Sequence, residues 1–225
     1  QNSAWGLLEA YAGGGKFLGD WAAPKQRKEF GGTPESFFFN NCVYAMNLET
    51  VAQIADLLEK PDDAVLYRKR LNALRKKIQK QFYDTETGLY MEGNQVQTAF
   101  PLWRKITPDS LSASVLAHFE EEFTHNHPYL DMGSSGLPVL LKFLTEEQDF
   151  NEAMAGHLSS TDEPSYGYFL KRGETTWPEY WNVDVPSRIH TCYTGIASWF
   201  IKSVGGIRPD PSHPGYQQLI IKPSP

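Results

Sequence analysis

The sequence predicts an all-α fold built from helical hairpins, with one β-strand near its end. Three observations lead to this prediction. Apolar residues recur with the three- and four-residue steps of an α-helix over most of the chain. Short turns containing proline or acidic residues separate successive helical segments. A short apolar run bounded by prolines, at positions 219–221, is typical of a strand.

The clearest hairpin lies in the first half of the chain. Apolar side chains step along one face from Tyr44 to Leu58, and a second stripe follows from Ala64 to Phe82. Only a short turn, Lys60-Pro61-Asp62, separates the two stripes. Two amphipathic segments joined in this way predict a helix–turn–helix hairpin.

Later segments repeat the arrangement more weakly. Further helices are predicted over 95–105, from 109, over 136–144, 151–158 and 189–204, with Gly205 and Gly206 ending the last one. Three loops combine aromatic and acidic residues, at 13–32, 83–97 and 171–189. Hairpins whose chemically rich loops share one side predict a toroid of helices with a pocket at one end.

Composition excludes several classes of function. The chain has 21 Lys and Arg against 27 Asp and Glu, a formal charge of −6, so no basic stripe is expected to bind nucleic acid. No apolar run is long enough to predict a membrane-spanning helix. The tripeptide at His125 to His127 lacks metal-ligand spacing, and no cofactor motif is found, so neither a metal nor a cofactor is predicted.

The stretch RGETTWPEYW, residues 172–181, holds the sharpest candidate. Glu179 lies between Pro178 and Tyr180, and Trp177 and Trp181 flank them. Sugars offer apolar faces to aromatic rings and hydroxyl groups to carboxylates, and a carboxylate here is placed to activate water as a general base. The alternative is a surface loop in which the rings pack together and Glu179 is solvated. Glu174 is the second carboxylate of the stretch.

Four other residues, in three stretches of the chain, are candidates for sugar binding. Asp20 and Trp21 follow a glycine-rich turn, where the carboxylate would hold two hydroxyls and the ring would stack; an Asx turn explains them equally well. Gln97 would reach a ligand from the start of a helix, or cap that helix. His190, placed at the start of the last predicted helix, would bond a hydroxyl or serve the fold.

Taken together, four ordered stretches resemble glycoside hydrolase family 78, the α-L-rhamnosidases. They are GDWAAP (19–24), VQTAF (96–100), GETTWPEYW (173–181) and SRIHTCYTGIASWFIKSVGGIRPDPSHPGYQQLIIKP (187–223). Their order and spacing match the family over nearly the whole chain. One such motif would be weak, but four in order are fairly specific.

The resemblance implies an (α/α)6 toroid and inverting hydrolysis of terminal α-L-rhamnosyl groups in glycans or glycosides. Residues 1–206 would be part of the barrel, and 207–225 would run out into a C-terminal β-sandwich. Glu179 would be the general base. The implied sugar-binding residues are Asp20, Trp21, Gln97, Trp177, Trp181 and His190. The resemblance to this family also implies a secreted or periplasmic enzyme.

The chain departs from the family at several points. Pro178 replaces the Trp before the base, Ile189 replaces an Asn, and eleven positions separate Glu179 from His190, fewer than the family leads us to expect. The segment carrying the family's general acid is not found, so we expect it on upstream polypeptide, with further domains of the same enzyme as partners. A glucuronyl hydrolase or lyase of the same toroidal type, and a non-catalytic carbohydrate-binding remnant, are the alternatives.

Overall fold

A computed structural model describes residues 6–8, 17–24, 32–126, 129–146, 150–213 and 215–225 of the chain. The predicted loop at 13–32 therefore lies partly outside the described residues. Helices dominate, and the helices of the described part are too short or too polar to cross a membrane. The chain divides into two compact units. The described residues of the first are 6–8, 17–21 and 32–119, and those of the second are 22–24, 120–126, 129–146, 150–213 and 215–225.

The first unit contains the predicted hairpin. Helix α1 spans Pro34–Leu57 and α2 spans Pro61–Phe82, so the prediction is confirmed, although α1 begins ahead of Tyr44. Thr33 explains this earlier start, because its hydroxyl accepts the Ser36 N–H at 3.2 Å and Pro34 suits the first helical position. The α2 residues buried in the hairpin are Ala64, Leu71, Leu74 and Ile78.

A short ribbon and two helices complete this unit. Strands β1 (Tyr83–Asp84) and β2 (Leu89–Tyr90) pair antiparallel. Helices α3 (Gln95–Trp103) and α4 (Asp109–Glu121) then follow as predicted. The end of α4 from Glu120, and the π-helical turn Glu122–Asn126 that continues it, belong to the second unit.

The second unit buries the aromatic residues that matter for the site. Helices α5 (Gly136–Glu146) and α6 (Asn151–Ser159) occupy the predicted positions. An additional helix, α7 (Tyr166–Lys171), was not predicted, and Ser165 caps it by accepting the Tyr168 N–H at 2.9 Å. Six residues are too few to show helical periodicity.

The last helix begins later than predicted. Helix α8 spans Ile196–Trp199 and continues as a π-helical turn, Phe200–Val204, so the start at residue 189 is wrong. Residues 191–195 form turns in which the Thr194 hydroxyl donates to the Thr191 carbonyl at 2.7 Å. The predicted glycine end is confirmed, because Gly206 has φ 62° and a Cβ there would collide with the backbone of Lys222.

The predicted strand is present and has a partner that was not predicted. Strand β4 (Leu219–Ile221) pairs antiparallel with β3 (Ile207–Pro209). All three β4 residues are exposed. Since successive strand side chains point to opposite faces, both faces of this ribbon present apolar groups to solvent.

Candidate functional site

Glu179 lies on a loop of the second unit that pairs with its own return segment. The Glu179 N–H donates to the Ser187 carbonyl at 3.0 Å, and the His190 N–H donates to the Trp177 carbonyl at 2.8 Å. The Thr176 hydroxyl donates to the Arg188 carbonyl at 2.7 Å. These bonds hold the backbone of Glu179 beside the segment that ends in His190. We call residues 172–190 the base loop.

Pro178 leaves this pairing intact. A proline has no N–H to donate, but the bonds on either side use the Trp177 carbonyl and the Glu179 N–H. Pro178 itself is buried. Pro178 is therefore compatible with the two backbone bonds that pair the loop with its return segment.

Two side chains of the return segment fix the loop further. The Ser187 hydroxyl lies 3.0 Å from His190 Nδ1, so one residue bonds the Glu179 backbone and the His190 ring together. Arg188 donates to the Val183 carbonyl at 2.5 Å and forms an ion pair with Glu174. The Glu174 side chain is 14% exposed and its carboxylate is engaged by Arg188. Glu179 is thus the better candidate for a catalytic carboxylate.

Trp181 is buried in the core of the second unit and supports the base loop there. Its side chain is 3% exposed, and its ring stacks on Phe169 with 5.9 Å between centroids and 5° between planes. Tyr193 packs against it at 4.3 Å, and the indole N–H donates to the Met132 carbonyl at 2.6 Å. No face of this ring is open to stack on a sugar. In this structure Trp181 packs against the core of its unit, and its predicted part in sugar binding stays a prediction.

Trp177 is only partly buried. Its ring meets the edge of Tyr166 at 5.2 Å and lies 5.9 Å from Phe169. Burial raises the pKa of Tyr166, whose hydroxyl donates to the Tyr193 carbonyl at 2.6 Å. Partial burial and the Glu179 carboxylate raise the pKa of Tyr180. The loop thus places the Glu179 carboxylate near an aromatic ring, Trp177, that is partly exposed.

Asp20 and Trp21 lie in the first unit, on a sharp turn. Gly19 has φ 58°, which favours glycine. Asp20 is 2% exposed, whereas Trp21 is partly exposed. A buried carboxylate beside a partly open ring is compatible with both predicted uses of this pair, a sugar contact and a turn.

Gln97 is also in the first unit, at the start of α3. It is 3% exposed, and its Oε1 accepts the Glu92 N–H at 3.0 Å and the Asn94 N–H at 3.4 Å. Asn94 accepts the Gln97 N–H at 2.9 Å in return, which makes a capping box. Within the described part of the chain Gln97 Nε2 has no hydrogen-bond partner. The oxygen is thus committed to the helix, and the amide nitrogen remains as a donor for a ligand.

Sequence reasoning missed the residues that hold the loop in place. Ser187, Arg188 and the Met132 carbonyl are ordinary in sequence, and only their contacts give them a role. A signal for Ser187 existed, because it begins the SRIH stretch that contains the candidate His190. Among the described residues no group of three or more His, Cys, Asp or Glu is arranged to hold a metal ion.

Residues 9–204 match the family described as the bacterial alpha-L-rhamnosidase 6 hairpin glycosidase domain. The chain belongs to this family, and the resemblance found in its motifs is confirmed.

Similar proteins agree with this assignment. An α-L-rhamnosidase of Streptomyces avermitilis is 26% identical over 192 residues, which are 81% of this chain and 18% of the relative. The crystal structure of S. avermitilis α-L-rhamnosidase complexed with L-rhamnose superposes with a TM-score of 0.78 at 24% identity, over 92% of this chain and 20% of that one. Native α-L-rhamnosidase from Aspergillus terreus gives 0.81 at 22% identity, over 92% and 25%.

These structural matches confirm the predicted class of fold, helical hairpins of the rhamnosidase toroid type. The chain spans about a fifth of the length of the S. avermitilis relative that it matches. The division at residue 206 and the roles of individual site residues stay predictions.

Proposed function

We propose that the protein hydrolyses terminal α-L-rhamnosyl groups of glycans or glycosides with inversion, and that Glu179 is the general base. The observation that carries the proposal is the anchoring of the Glu179 backbone: the Glu179 N–H bonds the Ser187 carbonyl, and the neighbouring Trp177 carbonyl accepts the His190 N–H. Membership of the rhamnosidase family supports the substrate, as does the L-rhamnose bound by the S. avermitilis relative.

The proposed reaction divides the work between two carboxyl groups. Glu179 takes a proton from a water molecule while the oxygen of that water attacks the anomeric carbon. A carboxylic acid protonates the departing glycosidic oxygen. Inversion requires these groups to lie about 6.5–9.5 Å apart, so that the water fits between them and the sugar. We place the acid on upstream polypeptide, because the family segment that carries it has no counterpart in this sequence.

The other polar candidates would hold the sugar. In the second unit His190, oriented by Ser187, would bond a hydroxyl, and the partly exposed Trp177 would contact an apolar sugar face. The candidates of the first unit are proposed separately: the Asp20 carboxylate and Gln97 Nε2 as polar contacts, and the partly exposed Trp21 as an apolar one. Trp181 would support Trp177 indirectly, because both rings pack on Tyr166 and Phe169.

We also propose that residues 207–225 lead from the helical barrel into a C-terminal β-domain. The ribbon of β3 and β4 exposes apolar side chains on both faces, and two strands alone are only marginally stable. Further strands of the same enzyme would cover it.

Hydrolysis of a chromogenic α-L-rhamnoside by the intact protein tests the function. We expect Glu179→Gln to lower kcat about 10²- to 10⁴-fold, the usual contribution of a general base. Asp184→Asn removes an exposed carboxylate from the same loop and is the matched control. NMR of the first-formed product should show β-L-rhamnose, the inverted anomer.

Each negative result has a distinct meaning. Full activity in Glu179→Gln would remove this residue from the mechanism. An initial product of retained configuration would reject inversion. Rhamnose binding without hydrolysis by the wild-type protein would favour a carbohydrate-binding protein over an enzyme.

A further inference from the structure

A concave pocket of about 470 Å³ lies on the first unit, between α2 and the segment that follows α3. Its polar wall is formed by Asn72, Arg75, Lys76, Gln79, Lys80 and Lys105. The volume falls in the range of small-molecule sites, about 300–1,000 Å³. We call it the basic pocket.

The basic pocket concentrates positive charge on a protein whose formal charge is −6. Four of its lining residues are Arg or Lys, and none of the described residues that line it is acidic. Lys76 and Lys80 are one turn apart on α2, where like charges repel and disfavour the helix. An anion in the pocket would offset that repulsion.

Arg75 is a fixed cation in this wall. Its side chain is 18% exposed, and one terminal nitrogen donates to the Arg104 carbonyl at 2.7 Å and lies 3.4 Å from Glu49 Oε1. Its Nε is buried and has no hydrogen-bond partner among the described residues. Burial lowers the pKa of Arg75, but a guanidinium stays charged at neutral pH.

Glu49 does not neutralise the pocket. It also pairs with Arg104, so its single charge serves two guanidinium groups. Even when it is counted wholly against Arg75, Lys76, Lys80 and Lys105 remain.

Lys105 adds a backbone observation. It has φ 51°, a left-handed conformation that glycine or asparagine adopts more easily. The C-terminal dipoles of α2 and α3 favour a nearby cation and account for Lys80 and Lys105 in part. They do not account for Lys76, which is farther from the end of α2.

We propose that the basic pocket binds an oxyanion, namely a carboxylate, sulfate or phosphate group. The group would come either from a free inorganic ion or from an acidic saccharide. The pocket is separate from Gln97, the sugar-binding candidate in the first turn of α3, because six residues, about 9 Å of helix rise, lead from Gln97 to the end of α3 at Trp103, and Lys105 follows that end. Binding therefore does not depend on the proposed rhamnosidase activity.

Isothermal titration calorimetry on the intact protein tests the proposal in a buffer without phosphate. Sodium sulfate and sodium glucuronate are titrated separately, with glucose as the neutral control. We expect saturable binding of at least one anion that weakens as sodium chloride is added, because exposed charges are screened by salt. Glucose should give no heat.

Paired variants locate the site. Lys76→Gln with Lys80→Gln should weaken binding about tenfold or more, since each charge-assisted contact is lost. Lys60→Gln with Lys171→Gln removes the same charge from exposed positions outside the pocket and should leave the affinity unchanged. Circular dichroism melts confirm that both pairs remain folded.

The outcomes separate the two sources. Sulfate binding without glucuronate binding supports the pocket with a free ion as its ligand, and tighter glucuronate binding supports an acidic saccharide. The absence of saturable binding by both anions would overturn the proposal. Equal weakening in both variant pairs would also overturn it, because overall charge and not the pocket would then be responsible.

Discussion

The base loop and the α1–α2 hairpin are stabilised in opposite ways. The hairpin buries an apolar stripe that includes Leu74 and Ile78, and any well-packed apolar side chains would satisfy its pattern. The base loop depends on single hydrogen bonds, such as the bond between the Ser187 hydroxyl and His190 Nδ1 and the bond from the Trp181 N–H to the Met132 carbonyl. Substitutions in the hairpin should therefore cost stability, whereas polar substitutions in the loop should cost activity.

Trp181 breaks this comparison, because it belongs to the loop and to the core. Trp181→Ala should lower the free energy of unfolding by about 3–5 kcal/mol, the usual cost of truncating a buried tryptophan. Activity should fall as well, since the ring supports the loop that carries Glu179. Urea denaturation and kcat measurement on the same samples check both effects.

Trp181→Phe separates the ring from its polar group. It keeps an aromatic side chain but leaves the Met132 carbonyl without its donor, which should cost about 1–3 kcal/mol. If Trp181→Ala were as stable as the wild type, the buried position of this ring would be disproved.

Ile78 sharpens the hairpin side of the comparison. It is fully buried on α2, so Ile78→Ala should lower the free energy of unfolding by about 2–5 kcal/mol. Val65→Ala, at an exposed position of the same helix, should change it by less than about 0.5 kcal/mol. Urea denaturation compares them, and kcat per folded molecule should stay at the wild-type level in both. A drop in kcat at unchanged stability would contradict the distinction.

Ser187 tests the loop side. Ser187→Ala removes the bond to His190 Nδ1 but keeps the carbonyl that accepts the Glu179 N–H. We expect kcat to fall about tenfold, equivalent to one lost hydrogen bond, with stability changed by no more than about 1 kcal/mol.

A positioning role has its own signature. The ¹⁵N shifts of the His190 ring should change in Ser187→Ala, and Ser187→Thr should restore both the shifts and kcat, because it retains the hydroxyl. Unchanged ring shifts in Ser187→Ala would show that the hydroxyl does not orient His190.

The same distinction explains what the sequence predicted. The hairpin could be predicted because its stripe repeats along one helix face, which is a local property. The start of α8 could not, because Tyr193 and Ile196 continue a helical period while Thr194 bonds the backbone in a turn. A pattern of apolar residues does not reveal where a side-chain hydroxyl bonds the backbone in place of a helical hydrogen bond.

The candidate site shows a similar limit. Glu179 stands out in sequence because of its aromatic neighbours, and its motif identifies the family. The exposure of those neighbours depends on distant partners: the Trp181 N–H donates to Met132, forty-nine positions earlier. The sequence therefore locates the base loop but does not distinguish the partly exposed Trp177 from the buried Trp181.

The smallest expected effect concerns a polar link within the hairpin. Asp56 of α1 and Arg68 of α2 form an exposed ion pair, and its hydrogen bond holds the pKa of Asp56 below the usual 3.8. A carboxyl whose pKa is depressed by folding stabilises the protein above its unfolded pKa, and loses that contribution as pH falls through the folded value. Asp56→Asn should thus be slightly less stable than the wild type near pH 6.

The pH dependence identifies the cause. The difference between Asp56→Asn and the wild type should shrink once the pH falls below 3.8, and should also shrink in high salt, because the pair is exposed. Thermal melts of both proteins from pH 6 down to the lowest pH at which they stay folded measure it. A pH-independent difference would mean that Asp56 stabilises the hairpin through packing and not through its charge. The hairpin would then depend on packing even at this polar position.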